Sequence, residues 1–111
     1  MLYKIGDFSK ITNTPVRTLR FYGDIGLLVP ERVDVFTGYR YYGDAQIKKL
    51  KLIQKLKDLG FSLDEIRDNM NNMNNLGDSV LLRKRCEIMN EIDECKRKIK
   101  KIDEFRSQLK G

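Results

Sequence analysis

The sequence predicts a mostly α-helical protein in which a short β-hairpin follows two short helices and a long helix ends the chain. Three observations predict this fold class. Apolar residues recur at helical spacing on both sides of the stretch Arg32–Tyr42. That stretch itself alternates around a Thr-Gly turn, as β-hairpins do. From Asp78 to Leu109, apolar residues recur at alternating steps of three and four, which is typical of a coiled coil.

The composition limits the classes of function. A chain of 111 residues, 41% hydrophobic and 34% charged, is long enough for one modest ordered domain with an extension. Its 22 Lys and Arg against 16 Asp and Glu give a formal charge of +6, which favours a polyanionic partner such as nucleic acid. No apolar run is long enough for a membrane span or a signal peptide, so we expect a cytoplasmic protein without a membrane partner.

Cysteine and histidine usage argues against catalysis. Two cysteines and no histidine cannot form a zinc finger, a Cys-His nucleophile pair or a Ser-His-Asp triad. Cys86 and Cys95 fall within one predicted helix, too far apart along its axis for an intrachain disulfide. We therefore expect no enzyme activity, no metal and no cofactor, and we interpret both cysteines as small hydrophobic residues.

The first two predicted helices are short and lie close together in the sequence. Ile5, Phe8 and Ile11 form one apolar stripe on the first helix. The tight turn that follows leads into the second helix, with Thr14 as the expected N-cap and Pro15 at the first helical position. This arrangement is typical of a helix-turn-helix.

The second helix is predicted to end at Gly23 and Gly26. Its Leu19 faces inward, so that Arg17 and Arg20 lie on the opposite, outer face. A helix that presents two arginines in this way can enter a groove of duplex DNA.

The hairpin has one aromatic face and one mixed face. Strand alternation after the turn at Thr37–Gly38 sends Tyr39 and Tyr41 to one side and Arg40 and Tyr42 to the other. One of these faces is expected to pack on the body of the domain.

The third helix is predicted to begin with Asp44 as its cap and to end at Gly60. Its outer face has a row of lysines that we interpret as solvated: Lys48, Lys51 and Lys55. Ser62 and Glu65 form a capping box that opens a further short helix. The asparagine-rich run Asn69–Asn75 is predicted to be a junction.

The long helix has a heptad seam that needs a partner to bury it, and a second copy of the chain is the simplest partner. The predicted dimerisation residues are Leu81, Ile88, Ile92, Cys95, Ile99, Ile102 and Leu109. We therefore expect a domain over residues 1–76 and a coiled-coil dimerisation helix over residues 77–111.

Three stretches carry a family resemblance: IGDFSKITNTPVRTLRFYGDIGLLVPERVD, TGYRYY and LKDLGFSLDEI resemble the DNA-binding domain of MerR-type transcription regulators in order and spacing. The resemblance implies a winged helix-turn-helix, a homodimer joined through antiparallel terminal helices, and no enzyme activity. It also implies sequence-specific binding to a pseudo-palindromic promoter element that the dimer bends and untwists, with RNA polymerase as a further candidate partner. The effector of such a regulator is not named by these residues.

The resemblance also assigns roles. The DNA-binding residues that it implies are Arg17, Arg20, Tyr22, Tyr39, Arg40 and Lys57. Arg40 of the wing is expected to meet a phosphate with a tyrosine hydroxyl beside it. Arg17 and Arg20 are expected to contact bases or phosphates, and Lys57 to hold the DNA backbone. The sequence departs from the family pattern at Phe21, where tyrosine is usual, and at Gly23, where an acidic residue is common.

Two other classes of function stay open. One is an architectural protein, like a phage excisionase, that bends DNA without a promoter. The other is a coiled-coil interaction protein with a vestigial helix-turn-helix, which would not bind DNA. The presence of Arg17, Arg20 and Arg40 argues against the second class, whereas nothing in the sequence separates promoter regulation from architectural bending.

Overall fold

The computed structural model describes residues 1–70 and 77–111. The chain divides into two compact units, Met1–Asn71 and Asn72–Gly111. From residue 71 onward, the predicted asparagine-rich junction lies outside the described residues, as does the domain boundary predicted at Leu76.

The first unit contains four helices and three short strands. In chain order they are β1 (Tyr3–Lys4), α1 (Ile5–Thr12), α2 (Val16–Asp24), β2 (Arg32–Val33), β3 (Arg40–Tyr42), α3 (Asp44–Asp58) and α4 (Leu63–Met70). The described part of the second unit contains the single helix α5 (Asp78–Lys110). This order confirms the predicted mostly α-helical fold with a small hairpin and a long C-terminal helix.

The strands form one antiparallel sheet with β3 in the middle and the order β1-β3-β2. The predicted hairpin is the β2-β3 pair, in which Arg32 lies opposite Tyr41. On the other edge Tyr3 lies opposite Tyr42, so the N-terminal residues join the wing. Two residues are too few to show strand alternation, and the sequence therefore did not reveal β1.

The core is organised around a stacked aromatic pair. The rings of Phe8 and Tyr42 lie 4.5 Å apart at an interplanar angle of 17°, and both side chains are fully buried. This pair fastens β3 to α1. Burial raises the pKa of the Tyr42 phenol above its ordinary value, and the nearby Arg40 guanidinium offsets part of that effect. Around the pair lie further buried side chains: Leu19, Tyr22, Leu27, Leu28, Leu50, Ile53, Leu56, Phe61, Ile66 and Met70.

The start of α2 differs from the sequence prediction. Pro15 is the N-cap, with an extended ψ of 142°, and Thr14 makes no capping bond. Instead the buried Thr14 hydroxyl donates to the Thr12 carbonyl at 3.2 Å and accepts from Gln54 Nε2 at 3.2 Å. Thr14, which the sequence predicted as a cap, therefore connects the turn between α1 and α2 to α3 through a side-chain hydrogen bond.

Other helix ends also refine the predictions. Asp44 is the first helical residue of α3, not its cap, and Gly43 occupies the N-cap position with its N–H donating to Gln46 Oε1 at 2.8 Å. The capping box at the start of α4 is confirmed. Its Glu65 N–H donates to Ser62 Oγ at 3.1 Å, and the Ser62 N–H donates to Glu65 Oε1 at 3.1 Å.

The predicted end of α2 and the predicted apolar stripe on α1 need correction. The helix α2 continues through Gly23 to Asp24, because glycine accepts helical dihedrals, and Gly26 makes the following turn with a φ of 74°. On α1 the predicted apolar stripe buries Phe8, whereas Ile11 is 52% exposed.

We predict that Phe8→Ala lowers the free energy of unfolding by about 3 to 5 kcal/mol, because it removes one ring of the buried stack and leaves a cavity. The measurement is urea denaturation followed by circular dichroism. The matched control is Phe36→Ala, which truncates a ring that is 95% exposed and should change stability by less than about 0.5 kcal/mol. Equal denaturation midpoints for the two variants would show that the stack does not support the fold.

Candidate nucleic-acid interface

The outer face of α2 carries the arginines predicted for it. Leu19 and Tyr22 are buried on the inner face, which leaves Arg17 and Arg20 exposed at helical spacing. Phe21, on the same helix, is 48% exposed. The helix therefore presents two cations and part of an aromatic ring to solvent.

Arg40 connects the wing to the end of α2. Its Nη2 atom lies 3.3 Å from Asp24 Oδ1, and its Nη1 donates to the Arg20 carbonyl at 3.4 Å. A Cβ atom on Gly23 would lie 3.1 Å from Arg40 Nη1, tighter than ordinary contacts. Glycine at position 23 thus leaves room for the guanidinium, and Asp24 supplies the acidic partner one residue later.

A cleft of about 410 Å³ lies beside this connection. It is lined by Lys4, Ile5, Gly6, Asp7, Arg20, Gly38, Tyr39 and Arg40. The Lys4 ammonium lies 5.0 Å from the centroid of the Tyr39 ring, a cation-π distance. Three residues with cationic side chains and one with an acidic side chain therefore line this opening, a composition that suits a phosphate group.

Lys4 was not predicted as a site residue. It reaches the cleft because β1 pairs with β3 and places Lys4 opposite Tyr41. The sequence signal for this contact was weak, since a lysine just before a helix is commonly solvated. Only the pairing of two distant short strands brings it to the arginines.

A second group joins α2 to the end of α3. Lys57 Nζ donates to the Tyr22 hydroxyl at 3.2 Å and lies 5.8 Å from the centroid of that ring. Tyr22 is almost completely buried, with 4% of its surface exposed, whereas Lys57 is exposed. The sequence prediction named both residues without predicting that they touch each other.

The predicted site residues thus form two clusters in the first unit. Arg20, Tyr39 and Arg40 share the cleft, and Tyr22 and Lys57 form the second cluster. Arg17 is exposed on α2 and does not line the cleft. Their contacts with DNA stay predictions.

The predicted dimerisation stripe lies along α5, a helix without a buried residue. Its members are exposed: Leu81 40%, Ile88 39%, Ile92 49%, Ile99 59%, Ile102 58% and Leu109 71%, together with Cys95. Leu82, Met89 and Phe105 are also exposed beside the stripe, and the sequence analysis did not include them. They occupy flanking heptad positions, where an apolar residue widens the stripe.

Two further features are absent from residues 1–70 and 77–111. No helix there is long and apolar enough to cross a membrane. No group of three or more cysteine, aspartate or glutamate side chains there could hold a metal ion.

A helix-turn-helix with a hairpin wing, arginines on its second helix and a cationic cleft between helix and wing defines a winged helix-turn-helix DNA-binding domain. The model of the MerR HTH regulatory protein family matches residues 3–73, and that of the MerR DNA-binding family matches residues 47–111. The chain belongs to the MerR family. This confirms the resemblance carried by the sequence motifs, and a family of regulatory proteins agrees with the prediction that the chain is not an enzyme.

Two curated relatives show how far the likeness extends. The HTH-type transcriptional regulator HmrR of Rhizobium leguminosarum bv. viciae is 34% identical over 105 residues, covering 95% of this chain and 79% of HmrR. The multidrug-efflux transporter 1 regulator of Bacillus subtilis is 45% identical over 65 residues, covering 59% of this chain. That match spans 23% of the Bacillus protein.

Solved structures agree with the fold. The EcmrR-DNA complex, determined by cryo-electron microscopy, has a TM-score of 0.79 and 32% identity, covering 97% of this chain and 40% of EcmrR. HiNmlR, a MerR family regulator lacking the sensor domain and bound to promoter DNA, has a TM-score of 0.63 and 28% identity. That match covers 89% of this chain and 79% of HiNmlR. Together they confirm the predicted winged helix-turn-helix followed by a long helix.

We predict that Asp24→Asn raises the affinity for random-sequence duplex DNA by up to about fivefold, since it frees Arg40 and removes a negative charge beside the cleft. Fluorescence anisotropy with a labelled duplex measures it. The matched control is Asp103→Asn, which removes the 3.9 Å ion pair with Arg106 on α5 and should leave the affinity unchanged. A clear loss of affinity for Asp24→Asn would instead mean that Asp24 holds Arg40 in its binding position.

Proposed function

We propose that the chain is a transcription regulator that binds a promoter element in duplex DNA as a homodimer. The observation that carries the proposal is the cleft between α2 and the wing, which Lys4, Arg20 and Arg40 line together with Tyr39. Several cationic residues along one cleft suit the phosphates of a DNA strand. The complexes of HiNmlR with promoter DNA and of EcmrR with DNA support the same use of this fold.

The two clusters and Arg17 divide the work of recognition. In our proposal Arg20, Arg40 and Lys57 contact phosphates and fix the position of α2, with the Tyr39 and Tyr22 hydroxyls beside them. Arg17, exposed on α2 and outside the cleft, is the candidate for reading base edges in the major groove. Lys4 adds a phosphate contact from β1.

We propose that residues 1–76 form the DNA-binding domain and that residues 77–111 form the dimerisation helix. A two-fold dimer presents two copies of α2, so its binding site is a pseudo-palindrome whose half-site spacing follows the dimer geometry. Bending and untwisting of the promoter, with RNA polymerase as a partner there, belong to this proposal. Because promoter DNA lies in the bacterial cytoplasm, we infer that location.

The dimer proposal rests on α5. A helix of 33 residues whose leucine, isoleucine, methionine and phenylalanine side chains are 39–71% exposed gains stability when a partner covers them. We propose an antiparallel pair, in which Cys95 packs against an isoleucine of the other copy. Glu91 of one copy then lies near Lys98 of the other.

We expect a steep salt dependence of DNA binding. A dimer that uses Arg20, Arg40 and Lys57 twice neutralises about six phosphates, which gives a slope of log affinity against log salt of about −5. A phosphate contact from Lys4 in each copy makes the slope steeper, at about −7. Anisotropy titrations of a mixed-sequence duplex at several salt concentrations measure the slope. Lys4→Gln should return it to about −5, whereas Lys101→Gln on α5 should not change it.

Two outcomes of the salt titrations would contradict these expectations. A flat salt response, or no binding to any duplex at low salt, contradicts the DNA-binding proposal. A slope that is the same with and without Lys4→Gln removes Lys4 alone from the interface.

A companion variant, Arg17→Ala, should lower affinity by about 1 to 3 kcal/mol for a selected site and less for random DNA if Arg17 reads a base.

For the dimer, we predict that a Cys86→Ser variant, mildly oxidised as the native protein, forms little covalent dimer on a non-reducing gel. In an antiparallel pair each Cys95 faces an isoleucine of the other copy instead of the other Cys95, so we expect the two Cα atoms to lie beyond the roughly 7 Å limit for a disulfide. In a parallel pair they share one core layer and should crosslink. Rapid and nearly complete crosslinking through Cys95 would therefore contradict the antiparallel arrangement.

A further inference from the structure

The tip of the wing is apolar and points into solvent. Phe36 is 95% exposed, more than any other large hydrophobic side chain in the described parts of the chain, and Val35 beside it is 88% exposed. Both lie between β2 and β3, where a turn needs only small or polar residues. Neither contributes to the core, so a partner that covers them would gain the free energy of burying their apolar surface.

The turn that carries the tip is held by side-chain and backbone hydrogen bonds. Asp34 Oδ1 accepts the N–H groups of Phe36 at 2.8 Å and Thr37 at 3.3 Å, and these bonds lower the pKa of Asp34 below its ordinary value. Thr37 Oγ1 accepts the Tyr39 N–H at 3.2 Å. The Gly38 N–H donates to the Asp34 carbonyl at 2.8 Å, with Gly38 at a φ of 73° that favours glycine. The backbone that carries the exposed ring is therefore fixed before any partner binds, which limits the entropy lost on binding.

The position of the tip on the chain indicates its partner. Tyr39 and Arg40, which line the cationic cleft, follow Phe36 on the same hairpin within about 13 Å of extended chain. A duplex bound at the cleft therefore passes within reach of the tip. The tip continues the interface proposed above instead of forming a separate surface.

The chemistry of Phe36 limits what it contacts on a duplex. A phenyl ring has no hydrogen-bond donor for a phosphate, so it favours the sugar faces and base faces exposed in a groove. The major groove at each half-site is filled by α2 in our proposal. The minor groove next to it is the remaining apolar surface, and Phe is among the side chains that enter minor grooves as wedges.

We propose that Val35 and Phe36 form an apolar wing tip that enters the minor groove beside each half-site, with the Phe36 ring against sugar and base faces. This inference rests on the proposed function. Such a contact makes affinity depend on the local deformability of the duplex, so the bound minor groove should favour flexible pyrimidine-purine steps over stiff A-tracts.

The test compares Phe36→Ser with Phe36→Leu. The probe is a duplex selected from a random-sequence pool by the unsubstituted protein. We expect Phe36→Ser to lose about tenfold or more in affinity, since it removes the apolar surface that the duplex would bury. Phe36→Leu keeps an apolar side chain, so its affinity should stay within about threefold of that of the unsubstituted protein. Neither variant should change the salt slope, because neither removes a charge. Thermal unfolding midpoints equal to that of the unsubstituted protein would confirm that the variants are folded.

A second probe locates the groove. Inosine in place of guanine removes the amino group of the minor groove and leaves the major-groove edge unchanged. We expect this duplex to bind the unsubstituted protein and Phe36→Leu more tightly than the guanine duplex does. Phe36→Ser should gain less from the same replacement.

Two results would overturn the inference and leave the proposed function intact. If the unsubstituted protein binds the selected duplex and Phe36→Ser binds it equally well, the tip does not contact DNA. If Phe36→Ser instead dissociates the dimer in sedimentation while its DNA slope is kept, the tip contacts a protein. Failure of the unsubstituted protein to bind any duplex removes the proposed function itself, and the inference with it.

Discussion

The contact of Arg40 with the end of α2 is the interaction on which the candidate interface depends. Its guanidinium joins the Asp24 carboxylate and the Arg20 carbonyl, so the wing and the recognition helix present their cations as one surface. The pair is exposed enough for water to screen it, with side-chain exposures of 30% for Arg40 and 67% for Asp24. A phosphate can therefore compete with Asp24 for the guanidinium at small cost, while the bond to the carbonyl keeps the side chain in place.

The sheet supplies the rigidity behind this contact. Arg40 and Tyr42 are two residues apart on β3 and share one face of the strand. Tyr42 is fully buried against Phe8, and this fixes the strand from which Arg40 extends. On the opposite face, cations of both neighbouring strands lie over tyrosine rings, at 5.0 Å for Lys4 on Tyr39 and 5.7 Å for Arg32 on Tyr41. The tyrosines of the wing thus also contribute packing and cation-π contacts within the domain.

The success of the sequence analysis depended on how local each signal was. Helix periodicity, the capping box at Ser62 and the alternation of β3 are patterns among residues that are close in the sequence, and all three agree with the structure. The differences at Gly23 and Asp44 are local shifts of helix ends, whereas two others came from contacts between distant segments. Thr14 has the chemistry of a cap, but its hydroxyl donates to the Thr12 carbonyl and accepts from Gln54, 40 residues later. Lys4 joined the site only because β1 pairs with β3, which no short-range pattern shows.

Dimerisation changes the weight of every small contact in the first unit. A two-fold dimer repeats each contact, so a contribution of about 1 kcal/mol per copy becomes about 2 kcal/mol for the complex, close to thirtyfold in affinity. A surface ion pair or an exposed ring that is marginal in one protomer thereby becomes decisive on a pseudo-palindrome. The same doubling applies only if α5 holds the two halves at the spacing of the site. In the proposed dimer, the apolar stripe on α5 is thus as much a determinant of DNA affinity as the arginines proposed to contact the duplex.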